Sequence, residues 1–179
     1  MSNNIISVKN LKKKFKDFEA VKGISFNVKR SEIFAFLGPN GAGKSTSIKM
    51  LTTLLNPSGG EARVNGFDIF KEKMEVRKSF GIVFQDPSVD GELSAYENMY
   101  FHAVLYGVKT KGRKEKILDL LEMVELKDKK DVLVKSFSGG MKRRLEIARG
   151  FLHHPEIIFL DEPTLGLDPQ TRNKIWDYI

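Results

Sequence analysis

Apolar and polar residues alternate at Ile5 to Val8 and again at Ile24 to Val28, a period of two that predicts half-buried strands. Ile33-Phe34-Ala35-Phe36-Leu37 is apolar without interruption, the pattern of a strand buried on both faces. It runs into a glycine-rich turn and then a helical spacing carrying Ile48, Leu51 and Leu55, which Asn56-Pro57-Ser58-Gly59-Gly60 ends. A short strand from Glu61 to Val64 closes on Asn65-Gly66, a favoured hairpin pair. Phe80-Gly81-Ile82-Val83-Phe84 predicts another apolar strand. From about Ser94 to Leu126 the spacing turns helical, with Ile117, Leu120, Leu121 and Val124 on one face. Met141, Leu145, Ala148 and Leu152 mark a further amphipathic helix. Ile157-Ile158-Phe159-Leu160 predicts a doubly buried strand, and a last helix is expected near Thr171 to Ile179.

Strands therefore flank a helical block, which predicts an α/β core with a helical insertion. Residues 1–87 carry the β-structure and the first part of the core, 88–150 the helical subdomain, and 151–179 a further core strand. The length of 179 residues suits one such domain. No apolar run approaches the roughly 20 residues of a membrane-spanning helix. Met1-Ser2-Asn3-Asn4 lacks the features of a secretory signal. With no cysteine there is no disulfide and no Cys-ligated zinc, and the chain reads as a cytoplasmic soluble domain. The net charge of +7 falls in clusters at Lys12 to Lys14, Lys109 to Lys116, Lys127 to Lys130 and Lys142 to Arg144, with acidic residues interleaved. Clusters of this kind read as solvated faces, so the charge alone assigns no nucleic-acid partner.

Gly38-Pro39-Asn40-Gly41-Ala42-Gly43-Lys44-Ser45 fits the P-loop pattern G-x-x-x-x-G-K-[ST]. Glycines let successive backbone N–H groups curl around phosphate oxygens, and the helix that follows presents its positive end to the same anion. Lys44 would neutralise the β- and γ-phosphates and Ser45 would ligate Mg²⁺, with Thr46 next in the cradle. A chance match in a chain of this composition is on the order of one in a hundred. Asp161 and Glu162 end the apolar strand 157–160, where ligands bind in open α/β sheets. Beside a P-loop, Asp161 reads as the Mg²⁺ residue and Glu162 as the general base that polarises the attacking water.

These two motifs define a P-loop NTPase and nothing narrower. Phe137-Ser138-Gly139-Gly140-Met141, followed by Lys142-Arg143-Arg144 and Ala148-Arg149, resembles the signature motif of ABC ATPases, usually L-S-G-G-Q. Gln85, directly after strand 80–84, is similar to the Q-loop residue, and Gly166-Leu167-Asp168 to the D-loop. Phe15 falls where the family places an aromatic that stacks on adenine. The resemblance covers essentially the whole chain and implies a RecA-like P-loop core with an antiparallel β-subdomain and an inserted helical subdomain. It implies an ATPase that uses ATP and Mg²⁺, with Lys44, Gln85 and Glu162 in the catalytic set. Mg²⁺ would be held by Ser45, Gln85 and Asp161. The nucleotide would be contacted by Gly38 to Thr46, by Phe15, and by Ser138, Gly139, Gly140 and Asp168. Further implied are a second ATP-binding cassette, expected to be another copy, closing head to tail around two ATP molecules, and a transmembrane permease subunit. On that reading the protein is peripheral on the inner face of the membrane, with no membrane insertion and no nucleic-acid partner. The phrasing around the motifs resembles drug-export and ABC-2-type systems. The aromatics from Phe101 to Tyr106 read either as a docking surface for the permease or as core packing, and spacing does not separate the two.

Three features depart from the family pattern. Met141 replaces the usual glutamine, and Phe15 replaces the commoner tyrosine while keeping a stacking face. The family's histidine beyond the D-loop has no counterpart before Ile179, since His102, His153 and His154 all precede Glu162. The chain therefore resembles a fragment with an incomplete core, expected to bind ATP and to hydrolyse it slowly. The rival class is the soluble ABC ATPases that act on DNA or ribosomes. Against it stand the absence of a heptad-rich insertion, of zinc-binding cysteines and of a second cassette. Intact Lys44, Asp161 and Glu162 argue against a degenerate regulatory cassette.

Overall fold

The structure is a computed structural model of the chain, and it describes residues 3–84, 88–163, 169, 172 and 173. It falls into two compact units, Met1–Phe80 and Gly81–Ile179.

The first unit is built on β1 (Asn4–Phe15) and β2 (Phe18–Lys29), an antiparallel hairpin turning at Lys16-Asp17. β3 (Gly59–Val64) pairs with the other side of β1, and β4 (Phe67–Asp68) completes the order β2-β1-β3-β4. Asn65 and Gly66 both take positive φ, 50° and 83°, the conformation that a two-residue hairpin with native twist demands. Helix α1 (Lys44–Leu51) packs against β2 and β3, burying Ile48, Met50 and Leu51. Helix α2 (Lys73–Ser79) lies against β4 and buries Val76. The hairpin strands run well beyond the apolar stretches at Ile5 and Ile24. Leu11 and Val21 are buried, whereas the lysines around Leu11 hide the period of two.

Ile33 to Leu37 departs from expectation. The segment is not a strand, and Ile33 and Leu37 are 93% and 92% exposed. A strand takes its hydrogen bonds from neighbours, and no described residue forms a ladder with this segment. Aromatic contact holds it to β2 instead. The Phe34 ring stacks on Phe26 at 4.9 Å, and Phe36 meets both edge-on at 5.3 Å.

In the second unit, β5 (Phe80–Val83) and β6 (Ile157–Leu160) form a two-stranded sheet. The helical stretch after Ser94 resolves into α3 (Ala95–Leu105) and α4 (Arg113–Met123). Between them Gly107 and Gly112 turn the chain at positive φ. Ser94 starts α3 with a complete capping box, its hydroxyl accepting from the Glu97 N–H while Glu97 accepts from the Ser94 N–H. Helix α5 (Gly139–Phe151) brings Leu145, Ala148 and Leu152 into a core with Met99, Ile117 and Leu121. It also reaches the sheet closely: a Cβ on Gly81 would lie 2.2 Å from the Gly150 carbonyl oxygen. The expected last helix lies outside the described residues apart from Arg172 and Asn173, which are helical.

Two measurements check this packing. Leu121→Ala empties a fully buried position and should lower the unfolding free energy by about 3 kcal/mol in urea titration. His102 stacks on Tyr106 at 4.4 Å, and burial, with Arg149 and His153 close by, pushes its pKa down to about 3. Between pH 6.5 and about 3 the unfolded chain binds a proton here that the folded chain refuses. The thermal midpoint should therefore fall as pH drops through that window, and His102→Phe should flatten this part of the profile.

Candidate functional site

The P-loop residues lie in the first unit. Gly43 is the N-cap of α1 at φ 87°, and a Cβ there would sit 2.5 Å from the Ala20 carbonyl oxygen of β2. The hairpin strand thus runs directly against the loop, and only glycine lets the two backbones approach this closely. Gly41, at φ 83°, has nothing within 4 Å of its Cβ direction, so its glycine serves backbone conformation and leaves the loop open on that side. Pro39 to Ala42 closes as a turn, the Ala42 N–H donating to the Pro39 carbonyl at 3.2 Å. Lys44 folds back over this turn, its Nζ donating to the carbonyls of Gly38 at 2.7 Å and Pro39 at 3.0 Å. Ser45 and Thr46 occupy the first turn of α1, which carries no acidic residue. A glycine-rich turn, a lysine folded over it and a helix N-terminus with no acidic residue in its first turn together suit a polyphosphate.

Phe15 ends β1 opposite Phe18 and is exposed, with the Lys13 ammonium 4.9 Å from its ring centroid. The ring is free to stack on a planar group, next to a cation that already uses its π-face.

Asp161 and Glu162 follow β6 in the second unit. The Asp161 N–H donates to the Val83 carbonyl at 3.0 Å, carrying the strand pairing one residue past β6. Asp161 is buried, and Glu162 adopts φ 50°, an uncommon conformation for a residue with a Cβ. A buried carboxylate at a strand end is suited to a cation, with Glu162 beside it.

Ser138 is the N-cap of α5. Its hydroxyl accepts from the Met141 N–H at 3.2 Å, and among the described residues the Gly139 and Gly140 amides of the first turn have no helical acceptor. Phe137 anchors the segment in the helical core, and Met141 packs against the same core. The methionine in place of glutamine therefore serves as an apolar contact. The loop before α3 is pinned to the approach to Ser138: the Val134 and Lys135 N–H groups donate to the Leu93 and Gly91 carbonyls, both at 2.9 Å. Gln85 and Asp168 lie outside the described residues.

One reading from composition is corrected. In the cluster Lys142 to Arg144, Arg143 is no solvated cation: it is 6% exposed and donates to the carbonyls of Asp161, Glu162 and Pro163. Buried carbonyls past a strand end need donors, and Arg143 supplies them. The large apolar and aromatic residues from Phe101 to Tyr106 divide. Tyr106 packs between His102 and His153, whereas Phe101 and Leu105 are exposed.

The fold and loop define the class as an α/β P-loop NTPase. The chain belongs to the ABC transporter family, whose model matches residues 21–165. It is 43% identical to the daunorubicin/doxorubicin resistance ATP-binding protein DrrA of Streptomyces peucetius, over 97% of this chain and 53% of that protein. It is 40% identical to the linearmycin resistance ATP-binding protein LnrL of Bacillus subtilis, over 98% of this chain and 56% of that one. The chain thus spans about half the length of the curated relatives it matches. Among solved structures, the dimeric post-hydrolysis state of the ATP-binding cassette MJ0796 bound to ADP and Pi superposes with a TM-score of 0.86 at 29% identity. That match covers 97% of this chain and 80% of the other.

The closeness of Gly43 to β2 makes a stability prediction. Gly43→Ala places a Cβ both at positive φ and against the Ala20 carbonyl, and should cost about 2 kcal/mol or more in urea unfolding.

Proposed function

We propose that this protein is the ATP-hydrolysing motor subunit of a membrane transporter of the drug-export type. The observation that carries the reading is the pairing, on one chain, of a glycine cradle at the start of α1 with a buried aspartate and a glutamate ending β6. The first is suited to a polyphosphate and the second to activating a water. The drug-resistance names of DrrA and LnrL support the transporter class.

In this reading, ATP lies along Gly38 to Thr46 with its adenine on Phe15. The amides of the loop and the N-terminus of α1 take the phosphates, and Lys44 leaves the Gly38 and Pro39 carbonyls to reach them. Ser45, Gln85 and Asp161 would hold Mg²⁺, which supplies neutralisation of the phosphate charge. Glu162 accepts the proton of the attacking water. A second copy closes head to tail, so that Ser138 with the Gly139 and Gly140 amides meets the γ-phosphate held by its partner, and Asp168 lies at the same junction. The dimeric cassette bound to ADP and Pi, 29% identical to this chain, supports that arrangement. The helical segment 88–150 then docks a transmembrane permease subunit through the exposed Phe101 and Leu105, and the protein sits on the cytoplasmic face of the membrane without entering it.

Three variants of the full-length protein test the proposal. Lys44→Ala should weaken Mg-ATP binding on the order of a hundredfold, about 2.7 kcal/mol. Glu162→Gln should leave the affinity within threefold and slow turnover at least about a hundredfold. Captured with Mg-ATP from detergent-solubilised membranes, Glu162→Gln should bring down a multi-spanning membrane protein, and the Lys44→Ala, Glu162→Gln double variant should not. Recovery of ribosomes or nucleic acid without a membrane protein would transfer the chain to the soluble ATPases.

A further inference from the structure

Helix α5 carries a charged row spaced three residues apart, Arg143, Glu146 and Arg149, on the turns that follow Ser138-Gly139-Gly140. Glu146 is 1% exposed, and Arg143 and Arg149 are largely buried. A guanidinium offers five donors and no acceptor. Arg143 Nε donates to the Pro163 carbonyl at 2.7 Å, and Nη2 donates to those of Glu162 at 3.0 Å and Asp161 at 3.2 Å. Nη1 donates to the Phe84 carbonyl and to Glu146 Oε2, the latter at 3.3 Å. The second oxygen of Glu146 accepts from the Ser88 N–H and hydroxyl. Arg149 donates to the Ser88 carbonyl at 3.0 Å and to its hydroxyl.

One face of one helix thus grips the backbone on both sides of residues 85–87 and the carbonyls of three consecutive residues beginning at Asp161. Bulk stability does not require this. Desolvating such a pair offsets most of its attraction, and apolar side chains of equal volume would hold a helix on a sheet as well. What the rigid, planar fork adds is direction: it fixes several carbonyls relative to one another, which a flexible ammonium does not. Glu162 is the residue that needs this, because its φ of 50° persists only where the surroundings over-determine it.

We propose that Arg143 is a positioning residue for hydrolysis. Through the carbonyls of Asp161, Glu162 and Pro163 it sets the direction of the Glu162 carboxylate, and through the Phe84 carbonyl it ties that direction to the residue after β5. Glu146 orients the Arg143 fork and, with Arg149, holds Ser88. This rests on the ATPase reading above. It goes beyond it by making α5, from its Ser138 cap onward, the element that aligns the general base.

The test uses the full-length protein and Arg143→Lys, which keeps a positive charge beside Glu146 and loses the fork. Turnover should fall at least tenfold, with KM and the Kd for Mg-ATP each within twofold of the parent. In a Glu162→Gln background, single-turnover measurement should show less than a threefold further loss, because Arg143 acts through Glu162. Glu146→Gln, a milder change should Arg143→Lys fail to fold, should lower kcat at least threefold at unchanged KM. The proposal is overturned if both variants keep kcat within twofold. It is equally overturned if Kd and KM rise in step with the loss of kcat, or if Arg143→Lys costs its full tenfold again on top of Glu162→Gln. A parent protein that binds no Mg-ATP overturns the ATPase reading and this one together, whereas a parent that binds and hydrolyses it leaves the variants to decide the role of Arg143 alone.

Discussion

Past the Asp161 N–H the backbone leaves its strand pairing, and the carbonyls of Asp161, Glu162 and Pro163 lie at or beyond the end of the ladder. A carbonyl withdrawn from water without a donor costs of the order of a kcal/mol or more, so a multivalent donor stabilises this stretch. Arg143 is that donor. For its guanidinium to arrive, α5 must lie close against β5, and the glycine at 81 makes that approach possible. The buried guanidinium is paired with Glu146, and Glu146 in turn takes the Ser88 N–H. The backbone at Asp161 to Pro163, the Phe84 carbonyl and Ser88 are thereby joined through one charged row on α5.

The helical part of the second unit serves this assembly by holding α5 from behind. Leu145, Ala148 and Leu152 face Met99, Ile117 and Leu121, a fully buried apolar set. The Ser94 capping box starts α3 at a defined residue. Asn98, buried beneath it, exchanges hydrogen bonds with the backbone of Asp90 and donates to the Ser94 carbonyl. Rigid support of this kind leaves the outward side of α3 with little structural duty. Its exposed Phe101 and Leu105 are therefore unexplained by packing, in contrast to Tyr106, which fills the space between two histidines.

In the first unit the relation between loop and scaffold is reversed. There the strand hairpin is the rigid part, and the P-loop is drawn against it by a single glycine contact, Gly43 on the Ala20 carbonyl. Lys44 donates to the loop's own carbonyls.

The glycines of the P-loop, the Asp161-Glu162 pair, the Ser138 cap and the Asn65-Gly66 turn were all legible in the sequence. Each is a motif of a few adjacent residues, so it can be read along the chain without knowing what packs against it. The helices around Met99, Ile117 and Leu145 were legible for a related reason, since a period of 3.6 encodes which side of a helix is buried. Long-range pairing is not encoded in that way. Ile33 to Leu37 has the composition of a central strand, yet a strand exists only where another segment supplies its hydrogen bonds. Arg143 was hidden for the same reason. Between Lys142 and Arg144 it has the composition of a solvated face, and only the arrival of three carbonyls from a distant strand end makes it a buried clamp. An arginine, a glutamate and an arginine at three-residue spacing was the one trace of that role in the sequence. What the sequence by itself determined is the chemistry each short segment can perform. The tertiary structure alone decided which charged side chain would be taken out of water to hold those segments in register, because burial is a property of the neighbours and not of the residue.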